Sequence, residues 1–363
     1  MSFVFPASPA LGTTYNPPGS SDYFVWNGTV WLQAVEAKTA DYENIIVNSG
    51  MQESQQNGNN AGNNGFYPAD QWFLFHAGGG VSATQRLATA TPKGSLNRLA
   101  VVATTVDATL DSGDFTCLMQ KVEGTRMAKL GWPSLISSIP AVASFGVRSS
   151  VAQTYTMAIR DSAGGAAFLF DFTSPVGVDT YYSVPIQIPG SGTWRQNYAF
   201  SLEFGITLRS GSTIGGNNTW SFGGALRTAQ TGNAFMTTLN AEFHLFDVGL
   251  YADPFGTGLP PPWEMPEQPE EHMLCQRYWQ QFRGLFSQNL AASLAYRYYS
   301  HATVRPRTTP AVGGTNIGNN GFPATPGSMV YQGGTDTVYE TRTSSAAVTA
   351  GFYNTTITMD ARM

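Results

Sequence analysis

The chain has 363 residues, enough to bury a sizeable core in roughly two domains. Only 12% of the residues are charged, while 39 are glycine and 21 proline, so hydroxyls and amides must wet much of the surface. That suits a turn-rich all-β protein, or one whose faces are covered within an assembly. A net charge of −5 and the lack of a basic stripe argue against nucleic-acid binding, and no window of 18 apolar residues exists to span a membrane.

The opening MSFVFPASPALG lacks a basic n-region and a continuous apolar core. It does not read as a signal peptide, so synthesis in a cytoplasm is expected. Residues 1–34 read as a small module of their own. Within them, Pro17-Pro18-Gly19 marks a turn. Tyr23 to Trp31 then reads as strand, Asn27-Gly28 turn and strand, with Trp26 and Trp31 flanking the turn and packing together. Residues 35–43 have a weak helical character and read as a linker.

From Asn44 to Gly258 strands dominate. Tyr198, Phe200, Leu202, Phe204, Ile206 and Leu208 alternate with smaller or polar residues, which predicts a half-buried antiparallel strand. Tyr155, Met157 and Ile159 alternate in the same way, as do Leu239, Ala241, Phe243 and Leu245. Turn clusters such as DSAGGA at Asp161 and SGSTIGGNN at Ser210 separate them. Short strands with such punctuation predict an antiparallel β-sandwich, jelly-roll-like, rather than a parallel sheet with helices. Residues 259–272, LPPPWEMPEQPEEH, read as a stiff proline-rich hinge, and residues 273–363 as a further β-rich part. The run MLCQRYWQQF that opens this part holds a cysteine and three aromatics without glycine or proline, and reads as a well-ordered segment.

Two cysteines, Cys117 and Cys275, cannot make a disulfide scaffold or a cysteine-rich zinc site; they read as buried free thiols, with a single pairing as the alternative. The four histidines, His76, His244, His272 and His301, show no metal-ligand spacing. His244 shares the outward phase of its strand with Glu242, as a solvated or interface pair. Asp107, Asp111 and Asp114 come nearest to a calcium loop but read as a polar turn. No nucleophile elbow, phosphate loop or dinucleotide fingerprint occurs, and no repeating coil suggests a β-helical depolymerase. No metal or cofactor is expected. Sugar binding needs only aromatic faces and polar rims. Trp72, Trp220, Tyr181 and Tyr182, in or beside loops, are the candidate platforms, with core or interface packing as the alternative for each.

Three stretches resemble fibre and receptor-binding proteins of tailed bacteriophages. The first is FPASPALGTTYNPPGSSDYFVWNGTVWLQA. The second is NIIVNSGMQESQQNG with GFYPADQW, where Tyr67, Asp70 and Trp72 form a Tyr-x-x-Asp-x-Trp element. The third is FHLFDVGLYADPF followed by EEHMLCQRYWQQF, in which Cys275, Gln276, Arg277, Tyr278 and Trp279 match a Cys-Gln-Arg-Tyr-aromatic signature. Gln71 departs from the pattern where a basic residue is commoner, removing a possible salt bridge, and the PPPWEMPEQP insertion is unusual. The resemblance implies a non-enzymatic fibre or spike subunit at a virion surface with a carbohydrate-binding-like jelly roll. It implies attachment to other virion proteins through the module of Trp26, Asn27, Gly28 and Trp31, and binding of host surface polysaccharide by the body. A homo-oligomer is implied, a trimer or else a pentamer, and the signature is expected to be structural. A head-decoration or tail subunit without a ligand is the alternative, with a capsule depolymerase behind it.

Overall fold

A computed structural model describes residues 5–7, 9–10, 13–15, 23–26, 28–34, 43–132, 138–224, 227–228, 232–290, 295–302, 304–319, 328–332, 337–343 and 348–362. The expected linker at 35–43 and Asn27 fall outside these, Glu43 excepted. The contacts divide the chain into two units, residues 1–52 with 59–266 and residues 53–58 with 267–363.

Near the N-terminus, β1 (Thr14–Tyr15), β2 (Tyr23–Trp26) and β3 (Trp31–Ala34) form an antiparallel sheet in that order. The expected hairpin is present, and its register sets Trp26 opposite Trp31 with ring centroids 5.7 Å apart. Gly28 takes the left-handed backbone (φ 92°) that its loop requires. Phe5 stacks on Trp31 at 5.6 Å and meets Phe24 edge-on at 4.8 Å, so this small sheet is held by aromatic contact.

The body is a sandwich of two antiparallel sheets. Its strands are β4 (Trp72–Ala77), β5 (Val81–Leu87), β6 (Arg98–Thr105), β7 (Phe115–Glu123), β8 (Ala141–Ser149) and β9 (Thr154–Asp161), followed by β10 (Ala166–Thr173), β11 (Thr180–Ile186), β12 (Phe200–Ser210), β13 (Trp220–Phe222) and β14 (Glu242–Ala252). One sheet runs β13-β10-β9-β12-β7-β4 and the other β11-β8-β14-β6-β5. The chain therefore passes back and forth between the layers, in jelly-roll fashion. Between them, Trp72, Leu74, Met157, Ile159, Phe204 and Ile206 of the first sheet meet Leu99, Val101, Phe145, Val147, Phe243 and Leu245 of the second. The DSAGGA turn joins β9 to β10. Gly164 supplies a positive φ of 71°, and Asp161 Oδ1 accepts the Ala166 N–H at 3.0 Å.

Two strands differ from the sequence pattern. Tyr198 is 60% exposed and precedes β12, while Leu239 is 58% exposed and precedes β14. In both cases the alternation ran on through a turn that hydrophobicity alone does not mark. More importantly, β12 is buried on both faces rather than one, because Ser201, Glu203, Thr207 and Arg209 are covered as well as its apolar set. Ion pairs make this possible, since a buried charge must find a partner.

In the second unit, a helix (Gln268–Gln276) with proline in its first turn precedes β15 (Trp279–Leu290), β16 (Ala295–His301), β17 (Ala311–Asn319), β18 (Ser328–Gln332), β19 (Thr337–Thr343) and β20 (Val348–Asp360). They make two three-stranded antiparallel sheets, β15-β20-β17 and β16-β19-β18. The residues read as a hinge up to His272 thus include the start of a helix, and the cysteine signature straddles the end of that helix and the start of β15. Cys275, Tyr278 and Trp279 are buried, and the Arg307 guanidinium lies 5.9 Å from the Tyr278 ring centre. Cys117 and Cys275 are both buried thiols outside any disulfide, as expected.

Candidate functional site

Alternation along β4 sends Trp72 and Leu74 into the core and Phe73 and Phe75 to the opposite, outer face of the six-stranded sheet. The register carries this face across the sheet. Phe73 lies beside Met119, which pairs with Gly205; Phe75 lies beside Cys117, which pairs with Thr207. Lys121 pairs with Glu203, which pairs in turn with Arg160. A bulge between Phe200 and Leu202 sets Phe200 opposite Glu123 and so adds its ring to the same face. Tyr67, from the loop before β4, lies 5.5 Å from Phe73, and Phe115 meets Phe75 edge-on at 4.7 Å.

The outer face thus gathers five aromatic rings, Tyr67, Phe73, Phe75, Phe115 and Phe200. Phe75 is 37% exposed and the other four are half-buried. Two cations sit among them. Lys121 Nζ lies 5.7 Å from the Phe73 centroid and 5.4 Å from that of Phe200. The Arg227 guanidinium lies 5.4 Å from both Phe75 and Phe115. Each such contact is worth about 0.5–1 kcal/mol where solvent reaches it. Beneath them Glu203 Oε1 accepts from Arg160 Nη1 at 2.7 Å and from Arg227 Nη1 at 2.6 Å. Arg227 is held from its backbone too. Its carbonyl accepts from Thr207 Oγ1 at 2.7 Å, its N–H donates to Ile214 at 2.9 Å, and the next residue, Thr228, bonds Thr156 across 2.9 Å.

Burial lowers the pKa of Lys121; Glu203 opposes that shift, while Arg227 and Arg160 add to it. The floor of the face is soft and apolar. Cys117 and Met119 are buried there, and desolvation pushes the Cys117 thiol up to about 11. The arrangement can stack flat, weakly polar ring faces against its phenyl groups and present cationic N–H donors between them.

The four expected platforms lie elsewhere. Trp72 is wholly buried, its Nε1 donating to the Asn48 carbonyl at 3.1 Å, so it is a core anchor and offers no face to a ligand. Trp220 is half-buried at the sheet edge on β13. Its Nε1 donates to the Gln187 carbonyl at 2.8 Å, and it meets Trp132 and Trp194 edge-on at 6.0 and 5.9 Å. Tyr181 and Tyr182 belong to β11 of the other sheet rather than to a loop. Tyr181 donates its hydroxyl to Asp247 Oδ2 at 2.6 Å under Lys93 Nζ, 4.2 Å from its ring centre, and burial together with that carboxylate raises its pKa. Tyr182 donates to the Thr173 carbonyl and stacks on Phe145 at 5.6 Å. These four rings do not converge.

Other readings also change. The Asp107–Asp114 turn is a turn, but it closes on Arg209, whose Nη2 lies 2.5 Å from Asp107 and 2.6 Å from Asp114. The guanidinium occupies the centre where a cation would sit. Among the described residues no cluster of acids, histidines and cysteines could hold a metal. His244 approaches Glu242 at 2.8 Å as expected, but its side chain is only 12% exposed, and desolvation lowers its pKa. Gln71 is buried in a left-handed turn conformation (φ 71°), so that position is not an open place for a surface salt bridge.

No protein-family profile and no curated protein matches the chain. Among solved structures it is similar to a family 11 carbohydrate-binding module from Clostridium thermocellum in complex with a β-1,3-1,4-mixed-linked tetrasaccharide. The identity is 13% over 53% of this chain and 95% of that one, with a TM-score of 0.30. It is likewise similar to TmCBM61 in complex with β-1,4-galactotriose, at 10% identity over 58% of this chain and 99% of that one, again with a TM-score of 0.30. At these values the likeness assigns neither a ligand nor a residue role.

Proposed function

We propose that this chain is a non-enzymatic glycan-binding subunit, with the outer face of the six-stranded sheet as its sugar platform. The observation that carries the reading is the row of Tyr67, Phe73, Phe75, Phe115 and Phe200 beside Lys121 and Arg227. Solvated aromatic rings on one rigid sheet, with charged donors fixed between them, suit the apolar faces and hydroxyl rims of pyranoses. Glu203, the carboxylate at the centre of this cluster, is engaged by two arginines and serves to orient them rather than to transfer protons. The setting we propose is a virion surface, with the N-terminal module attaching the subunit to the particle and the body meeting host polysaccharide. The three sequence elements that resemble phage fibre proteins support this setting.

The test replaces Phe73 and Phe75 together by alanine. Binding to host cells and to immobilised host polysaccharide should fall by about tenfold or more, since each stacked ring contributes on the order of 1 kcal/mol beyond its buried area. The melting temperature should change little, because neither side chain enters the core. Undiminished binding by the folded double variant would overturn the platform. Release of reducing ends from the polysaccharide by the native protein would overturn the non-enzymatic reading.

A further inference from the structure

We infer that this chain pairs with a second copy of itself through the free edge of β13, the two strands running antiparallel about a two-fold axis at Ser221.

The four edge strands of the sandwich are treated differently. Residues 62–66 cover two of them. Gly62 exchanges N–H···O bonds of 3.0 and 2.7 Å with Thr84 of β5, while Gly65 donates to Leu74 of β4 at 2.8 Å and Phe66 accepts from it at 3.1 Å. β11 carries Pro185, which has no N–H to offer and so blunts the ladder. β13 has neither device. It ends the six-stranded sheet, and its partner among the described residues is β10 alone.

The pairing with β10 shows which groups are spare. Leu169 donates to the Thr219 carbonyl at 3.1 Å and Gly223 to that of Gly165 at 2.8 Å, so Thr219, Ser221 and Gly223 face β10. Alternation turns the N–H and C=O of Trp220 and Phe222 to the opposite side, where no described strand meets them. A Cβ added to Gly223 or Gly224 would meet nothing within 4 Å, so the space beside the end of the strand is open.

An antiparallel pair centred on Ser221 is self-complementary. Trp220 of each copy exchanges two main-chain bonds with Phe222 of the other. Ser221 lies opposite Ser221 in the closer, non-bonded type of pair, which its small side chain permits. Side chains opposite one another on one face touch. The Phe222 ring, 52% exposed, thus comes beside Trp220 of the second copy, extending the stack that Trp220 and Phe222 already make within each chain, 6.4 Å between centroids and 12° between planes. A surface that meets its own copy must also avoid like charge. Residues 211–224, which carry β13, contain no Asp, Glu, Lys or Arg. Neither do residues 180–194, which the Trp220 Nε1–Gln187 bond brings alongside and which hold the exposed Ile188. Neutrality and the two-fold arrangement of the spare groups select the same strand as occupant.

The axis of such a pair stands perpendicular to the sheet, so the outer faces of both copies look the same way. Under the glycan reading, two platforms are then offered to one surface, and avidity follows without a new sugar contact. The pairing itself does not rest on that reading.

The experiment is sedimentation velocity on the full chain from about 1 to about 100 μM, the weak end of the range for specific interfaces. The average mass should rise from 39.0 kDa toward twice that value. Phe222→Lys should hold it at the monomer mass with an unchanged melting temperature, because the ring is exposed and a lysine guards an edge. Copper–phenanthroline oxidation of Ser221→Cys should yield a covalent dimer, since the non-bonded pair sets Cα atoms about 4.5 Å apart, within disulfide reach. A native chain that stays monomeric across the range would overturn the pairing. A dimer that persists in Phe222→Lys would also overturn it, by placing the interface elsewhere. So would a dimer sensitive to Phe222→Lys in which Ser221→Cys fails to cross-link. None of these outcomes bears on glycan binding, since Phe222 pairs with the core-facing Ala166 and so lies on the face opposite Phe73 and Phe75.

Discussion

Glu203 shows how a single side chain can organise a surface. It sits on β12 with 5% of its side chain exposed, between Arg160 on the neighbouring strand and Arg227, which follows β13 in the chain. Burying a carboxylate this deeply is costly unless its oxygens are engaged, and here two guanidinium groups engage one oxygen. Replacing Glu203 by glutamine removes the charge but little volume, and leaves two cations with no counter-charge between them. Breaking a buried pair in this way costs about 3–5 kcal/mol. Urea unfolding of Glu203→Gln should show a loss at the lower end of that range, since Arg227 can turn toward water. Adding Arg160→Met to the same chain should recover part of it. An unchanged unfolding midpoint for the single variant would mean that the ion pair is not what holds Arg227 to the sheet.

At the scale of the element, the connection from β6 to β7 illustrates a charge-closed turn. The Arg209 side chain is fully buried against Asp107 and Asp114, and it also donates to the carbonyls of Gly79 and Thr109. The Thr109 N–H and the Arg209 guanidinium hold the Asp107 carboxyl below its ordinary pKa. A group whose folded pKa is depressed contributes stability above its unfolded pKa, and loses it as the pH falls through the folded value. The turn should therefore weaken as the pH drops below about 4, the unfolded carboxylate range. Thermal unfolding of Asp107→Asn should give a lower midpoint than the native protein at neutral pH, and the gap should close toward acid. A gap that is constant across pH would assign the effect to packing.

The same scale separates what the sequence discloses from what it hides. Strict alternation in Tyr155, Met157 and Ile159 reports a core-facing strand because β9 has one apolar face and no turn interrupts it. In β4 the run Trp72-Phe73-Leu74-Phe75 has rings or aliphatic groups on both faces, and that doubling was the available sign of an aromatic outer surface. Lys121, Glu203 and Arg227 could not be joined in advance. They are far apart in the chain, and only the register β7-β12-β9, together with the hydrogen bonds that hold Arg227, brings them to one spot. Tryptophans drew attention as sugar platforms, yet Trp72 is too apolar to leave the core when its N–H can be satisfied by Asn48.

For the whole molecule, the N-terminal sheet has its own aromatic cluster of Phe5, Tyr15, Phe24, Trp26 and Trp31, while the body has a separate core. Deletion of Met1 to Ala34 should leave a folded, soluble body with native affinity for glycan that no longer joins particles. Recovery of the truncated protein at full occupancy on purified virions would refute an attachment role for the module.

The grouping of Glu53–Gly58 with the C-terminal residues has a consequence for how the polypeptide is tied together. Gln55 donates to the carbonyl of Trp279, 224 positions later, and Glu53 meets His272 at 2.8 Å. The backbone therefore crosses between the two units three times, after Gln52, after Gly58 and after Pro266, like a thread passed through a button more than once. A single protease cut at Pro266 would leave the later residues held by a loop made near the beginning of synthesis. On the ribosome that loop must wait until 219 further residues have been made before His272 arrives.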